Sequence, residues 1–431
     1  MNELASKLCL EDSTFQKTVL DNGVRILTEK LPYLKTVSIC IWVLTGSRIE
    51  EQNVNGISHF VEHMLFKGTT RRDAFQISKE IDCVGGSLNA FTSKEATSYY
   101  CRILSDHLSL GLDVLTDMYL NSCFKEDEID REKQVVCQEI RQQEDSPEDF
   151  VNELFNMRFW QGDSFGHPIL GSINNVLLFD RESLIKFKTE NYGPLQTIVC
   201  AAGNLEHGNI VSFIENEMGS LKNRAVQKQQ TKPKISPGCL IHEKDLEQVH
   251  VCIGVEGPNI RDNDRNVACL FSALFGGGMS SRLFQEIREK RGLVYNVYSY
   301  YAGFSDTGMI GIYASTEPDK FQELLDVLGQ EIIKVTKTIT DDELRNAKNQ
   351  IRGNIIMLNE SVEYRVGRIA KSEIYHGRYV SAEDTIGEID KVTLKEVQDF
   401  ASRFLNSERY TVTALGRISQ SMDILSYFNR N

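Results

Sequence analysis

One hydropathy pattern occurs twice along the chain. Residues 35–43 alternate like a strand and lead into a helical stretch around 58–64; residues 248–255 do the same and lead into an apolar helical stretch at 266–275. A second helix with an acidic start, at 126–140, has its counterpart at 343–355. Further helical periodicity appears near 107–121, 317–338 and 381–405. Asp21-Asn22-Gly23 between short apolar runs predicts an opening hairpin. Two glycines, Gly85 and Gly86, lead into a further strand that runs to Ser93. Strands alternating with long helices in each half predict an α+β fold of two homologous domains, each a mostly antiparallel sheet packed with helices. Between the halves, residues 222–237 are polar, lack periodicity and hold two of the eight prolines. They read as a linker between a domain at 1–221 and another at 238–431.

The two copies differ where the first carries chemistry. Ser58-His59-Phe60-Val61-Glu62-His63-Met64 contains H-x-x-E-H. Residues four apart share a helix face, so both imidazoles can reach one cation while Glu62 faces the same cleft. Imidazole suits zinc, and a helix-borne histidine pair beside a glutamate supplies both ligands and a general base. The order inverts the commoner H-E-x-x-H. With eight histidines in the chain, chance gives roughly 0.02 such patterns. A catalytic zinc needs a third protein ligand. Glu139 is the candidate, on the acidic helix seven residues after Glu132, with Val135 and Val136 between them on a partly buried stripe. A carboxylate on such a stripe is costly unless paired or metal-bound. In the second copy Leu270, Ala273 and Leu274 stand where His59, Glu62 and His63 stand, and Ala347 and Asn354 where Glu132 and Glu139 stand. One half carries the metal pattern and its copy has lost it.

These residues give the chain its resemblance to the pitrilysin/insulinase family of zinc peptidases, within it the mitochondrial-processing-peptidase-like branch, over nearly its whole length. The family pattern is H-x-x-E-H followed by a glutamate some way on, and here 75 residues lie between His63 and Glu139. The resemblance implies that His59, His63 and Glu139 bind one Zn2+, that Glu62 is the catalytic base and that Glu132 supports the ligands from behind. It also implies a substrate strand at the sheet edge beside the zinc, with Asn89 and Ala90 near the scissile bond; strand addition accepts varied sequences because main-chain hydrogen bonds ignore side chains. Arg288 and Tyr295 match an arginine and tyrosine that the metal-free half presents to the substrate carbonyl. Without the resemblance, they read as a helix arginine and a strand tyrosine. A two-domain chain of this kind is expected to form half of a clamshell chamber and to act as a dimer, of identical chains or with a related subunit, on unfolded peptides or precursor segments. The alternative is a catalytically silent peptide-binding or scaffold subunit of the same family.

Composition narrows the partners. The net charge is −13, which argues against nucleic acid and anionic membranes. No apolar run approaches the length of a membrane span, and the first twelve residues lack a signal-peptide layout. Ten cysteines without a C-x-x-C, most inside apolar runs, read as small buried hydrophobes in a reducing compartment. A cytoplasmic location is the expectation. Gly276-Gly277-Gly278 is followed by no Gly-Lys-Ser/Thr, so it is no phosphate loop.

Overall fold

The computed structural model describes residues 14–222, 231–404 and 409–428. They fall into two compact units. Of these residues, the first takes 14–140, 167–222 and 358–380, and the second takes 141–166, 231–357, 381–404 and 409–428. Each unit therefore takes one segment from the other half of the chain, which a single cut at 222–237 does not anticipate. Residues 223–230 of the expected linker lie outside the described residues.

The first unit holds a six-stranded sheet of β1 (Thr14–Val19), β2 (Arg25–Lys30), β3 (Thr36–Val43), β4 (Ser87–Thr92), β5 (Thr97–Leu104) and β6 (Thr197–Gly203). Their order is β1-β2-β6-β3-β5-β4. The second holds β7 (Gly238–Glu243), β8 (Val249–Glu256), β9 (Asn296–Gly303), β10 (Gly308–Thr316) and β11 (Thr411–Gly416), ordered β7-β11-β8-β10-β9. The two orders match strand for strand once β1 is set aside. The match extends to direction, because in each sheet one pair is parallel, β2 with β6 and β7 with β11, and the others are antiparallel. The twofold α+β architecture expected from the hydropathy repeat is the architecture found.

Both faces of each sheet are covered, which explains why β3 and β8 are so apolar. Val37, Ile39, Ile41 and Val43 enter a core with the helices Ile57–Leu65 and Leu108–Asn121. Cys40 and Trp42, pointing the other way, meet Val362, Val366 and Ile369 of the helix Val362–His376. In the second unit Val249, Val251, Ile253 and Val255 pack with Leu270, Phe271 and Phe275. Cys252 on the opposite face packs with Phe155 and Phe159 of the helix Pro147–Phe159. The exchanged segments thus supply the second layer of each unit. In the first, the attachment is also ionic: buried Glu29 on β2 receives Arg365 at 2.6 Å and Arg368 at 2.9 Å.

Local signals behave as expected at the hairpin, where β1 and β2 pair antiparallel and Gly23 takes φ +98°, a value L side chains rarely adopt. The helix expected over 381–405 is two helices, Ala382–Lys391 and Leu394–Phe404. Thr393 and Glu396 bond each other's backbone amides, at 3.3 and 2.7 Å, and this capping box starts a new helix. Five of the nine described cysteines are buried and none of the nine is bridged. Among the described residues no helix is long and apolar enough to cross a membrane.

Candidate metal centre

Three elements of the first unit build the site: the helix Ile57–Leu65, the helix Glu126–Asp145 and the edge strand β4. The first helix buries Ile57, Phe60, Val61, Met64 and Leu65. His59, Glu62 and His63 share its remaining face, the histidines partly exposed and Glu62 itself buried. Its start lacks a Ser, Thr or Asp cap. Instead the carboxylate of buried Glu50 accepts from the amides of Gly56 at 2.7 Å and Ser58 at 2.8 Å, and from Asn55 Nδ2 at 2.9 Å. Gly56 itself sits at φ +99°, and a Cβ there would stand 2.7 Å from the Leu170 carbonyl. The first turn of the histidine helix is therefore held by Glu50 from the segment just before it and by the close approach of the Leu170 backbone.

The acidic helix buries Ile129, Glu132, Val136, Cys137 and Ile140. Val136 lies on the stripe that joins Glu132 to Glu139, but Val135 is 43% exposed; the stripe is narrower than the sequence suggested. Glu132 is buried while Glu139, two turns on, is exposed enough to meet a ligand.

Among the described residues, one group could hold a metal ion: His59, His63 and Glu139, whose ligand atoms all lie within 4.8 Å of one another. The two Nε2 atoms are 3.1 Å apart, and Glu139 Oε2 is 3.9 Å from His59 Nε2 and 3.5 Å from His63 Nε2. Glu132 Oε1 bonds His63 Nδ1 at 2.7 Å, which places the other ring nitrogen toward the group. Glu132 Oε2 receives Lys67 at 2.6 Å. Behind His59, Nδ1 is buried and makes no hydrogen bond among the described residues.

Electrostatics agree with a cation. Burial, reinforced by the neighbouring His63, lowers His59 to about 3, so its imidazole is neutral and its lone pair available. Burial also works against a charged His63, but the Glu132 hydrogen bond and the nearby carboxylates win and raise its pKa. Glu62 is raised by burial, against the pull of a hydrogen bond from Thr92. Glu132 is lowered: burial opposes ionisation, and the bonds from His63 and Lys67 overcome it. Counted formally with both imidazoles as neutral ligands, the acidic side chains of Glu62, Glu132 and Glu139 outnumber the Lys67 amine bonded to Glu132, an excess that a divalent cation would offset. The donor set of two imidazole nitrogens and one carboxylate oxygen fits Zn2+ with a position left open.

Among the described residues β4 is the edge of its sheet and pairs with β5 alone. Asn89 and Ala90 sit on it; Asn89 points outward and its Oδ1 accepts the Ala90 amide at 2.8 Å. Two positions later Thr92 Oγ1 reaches Glu62 Oε2 at 2.5 Å. Arg288 and Tyr295 belong to the second unit. Arg288 lies over the rings of Phe284 at 4.8 Å and Tyr295 at 5.0 Å, and Tyr295 is largely exposed. In that unit Leu270 and Leu274, equivalent to the two histidines, and Ala347, equivalent to Glu132, are buried apolar core, while Asn354, equivalent to Glu139, is exposed.

The sequence reading missed Glu50, Lys67 and Thr92. Lys67 follows His63 by four, a helical spacing that could have flagged it. Thr92 continues the inward period of Leu88 and Ala90 along β4. Nothing local marks Glu50.

Comparison with known proteins follows the same lines. A family model described as "Insulinase (Peptidase family M16)" matches residues 25–172, and one described as "Peptidase M16 inactive domain" matches residues 179–351. The uncharacterized zinc protease YmxG of Bacillus subtilis is 37% identical over 401 residues, covering 93% of this chain and 97% of that protein. An uncharacterized zinc protease of Rickettsia felis is 39% identical over 395 residues, covering 91% and 95%. Among solved structures, a protease from Helicobacter pylori superposes with a TM-score of 0.86 at 22% identity, over 94% of this chain and 99% of that one.

Proposed function

The chain belongs to the M16 (insulinase) family of peptidases, and from that premise we propose that it is a zinc-dependent endopeptidase acting on unfolded peptides. The observation that carries the reading is the convergence of His59, His63 and Glu139, with Glu62 on the same helix face. His59, His63 and Glu139 would hold the zinc. Bound there, the ion supplies Lewis acidity toward a peptide carbonyl and acidifies water. Glu62 takes the proton of the attacking water and later delivers it to the leaving amine nitrogen. Its burial, which raises its pKa, suits a group that must accept a proton and give it back. At the edge of β4 an extended peptide would pair with the main chain at Asn89 and Ala90, displacing the Asn89 side chain from the Ala90 amide, and main-chain pairing would accept varied sequences. Arg288 and Tyr295 supply hydrogen-bond donors suited to a developing oxyanion.

A silent scaffold of the same fold is the rival. It has no use for an intact ligand set, a buried base and a buried carboxylate behind His63. The match to a family model described as inactive covers residues 179–351, the part without these ligands. Incubation with a mixed oligopeptide library, with and without chelator, tests the proposal. Chelator-sensitive cleavage is expected from wild type, and Glu62→Gln should keep stoichiometric zinc while losing turnover by orders of magnitude. A zinc-loaded Glu62→Gln that still cleaves would refute the role of Glu62. A dimer is part of the same reading, and a fully active monomer in sedimentation would contradict it.

A further inference from the structure

The short contact between Glu62 and β4 assigns a role to a residue outside the ligand and base set. We propose that Thr92 is the positioning residue of Glu62, its hydroxyl holding Oε2 so that Oε1 is the oxygen that exchanges the proton. This inference rests on Glu62 acting as the base.

The direction of the hydrogen bond follows from its surroundings. Thr92 Oγ1 has two neighbours able to accept, Glu62 Oε2 at 2.5 Å and Thr97 Oγ1 at 3.4 Å. Thr97 cannot supply a proton in return, because its own hydroxyl donates to the Thr45 carbonyl at 2.9 Å, in a buried position. Thr92 must therefore be a donor, and the shorter, charge-assisted partner is the carboxylate. A carboxylate with one oxygen so occupied has its rotation about the terminal torsion restricted. That torsion is broad for a free glutamate.

Thr92 is itself held firmly. It forms the last pair of the β4–β5 ladder, opposite Thr97, and Thr97 stands opposite Val43 of β3. The hairpin beyond it is closed by Ser93, whose amide bonds the Ala96 carbonyl at 2.8 Å and whose hydroxyl bonds the same carbonyl at 2.8 Å. The strand that carries Asn89 and Ala90 thus also orients the base. A peptide added along that edge and the proton acceptor are set from one rigid element, which is how orientation lowers a barrier without extra binding.

The test compares Thr92→Val, which keeps shape and removes the donor, with Thr92→Ser, which keeps the donor. Each variant is checked for zinc content and thermal unfolding. Thr92→Val should lower kcat on the order of 10–100-fold, the effect of losing one hydrogen bond to a charged group, with KM for a quenched peptide unchanged. Thr92→Ser should restore most of the loss. If Thr92→Val does not fold, Thr92→Ala carries the same expectation. In a Glu62→Gln background Thr92→Val should cost no further activity, because the two act as one unit. An unchanged kcat in Thr92→Val while Glu62→Gln is inactive would overturn the inference and leave the base intact. A raised KM at constant kcat would also overturn it, making Thr92 part of the peptide-binding edge. Residual cleavage in Glu62→Gln near the wild-type rate would instead remove the premise.

Discussion

Replacing Glu132 by glutamine should weaken zinc binding without touching a zinc ligand. Glu132 makes two contacts that the amide cannot both reproduce: Oε1 with His63 Nδ1 at 2.7 Å and Oε2 with Lys67 at 2.6 Å. If the glutamine oxygen accepts from the imidazole, its NH2 group faces the Lys67 ammonium and two donors meet. If the oxygen turns to Lys67, His63 loses the acceptor that holds its tautomer. Either way one charge-assisted bond is lost in a position only 3% exposed, a loss of about 1.5–3 kcal/mol. At 1.4 kcal/mol per decade, that is roughly 10–100-fold in the dissociation constant for zinc, the range typical of carboxylates behind a ligating histidine. Lys67→Met leaves the carboxylate in place and should fall between wild type and Glu132→Gln. Competition for zinc against a chromophoric chelator at fixed pH reads both. A folded Glu132→Gln protein that holds zinc within threefold of wild type would refute the reasoning, since the His63–Glu132 bond would then be a packing contact only.

Two further outcomes concern stability. Glu29→Gln leaves the buried guanidinium of Arg365 and the largely buried one of Arg368 without their shared carboxylate, at a cost of about 3–5 kcal/mol. The unfolding midpoint should fall by roughly 6–20 °C with zinc stoichiometry unchanged; a shift under about 3 °C would show that the carbonyls of Asn359 and Val380 suffice for the two arginines. For Asp117 burial opposes ionisation, but bonds from Asn121, Thr69, Arg72 and Arg71 hold its pKa below the usual carboxylate range. Because the folded value lies below the unfolded one, its contribution is present above the unfolded pKa of about 3.9 and is lost as pH falls through the folded value. Asp117→Asn should therefore be less stable than wild type in urea at neutral pH, with the gap narrowing toward pH of about 3; an equal gap at both would refute the assignment.

Much of the site was legible because its geometry is local. His59, Glu62 and His63 share a face through helical spacing alone, and Glu132 and Glu139 do so through a seven-residue interval. The repeat was legible for a related reason: β3 and β8 are each buried on both sides, so their apolar runs stand out. Val135 was misplaced because two valines side by side gave no indication which one the stripe includes. The single helix expected at 381–405 was wrong although Thr393 and Glu396 carry the capping signature. The apolar period continues across the break and masked it.

The sequence alone determined the pair of similar domains, the helix bearing the two histidines and the residue types able to hold zinc, because these depend on periodicity and on neighbours a turn apart. The tertiary structure decided what lies behind them. Glu50 reaches the start of the histidine helix, Thr92 reaches Glu62 from another strand, and Glu132 crosses between helices to His63. It also decided that the helix Val362–His376 belongs to the first unit and the helix Pro147–Phe159 to the second. Burial of the second face of each sheet can be met by any apolar helix the chain can bring there, and no local spacing says which one it will be.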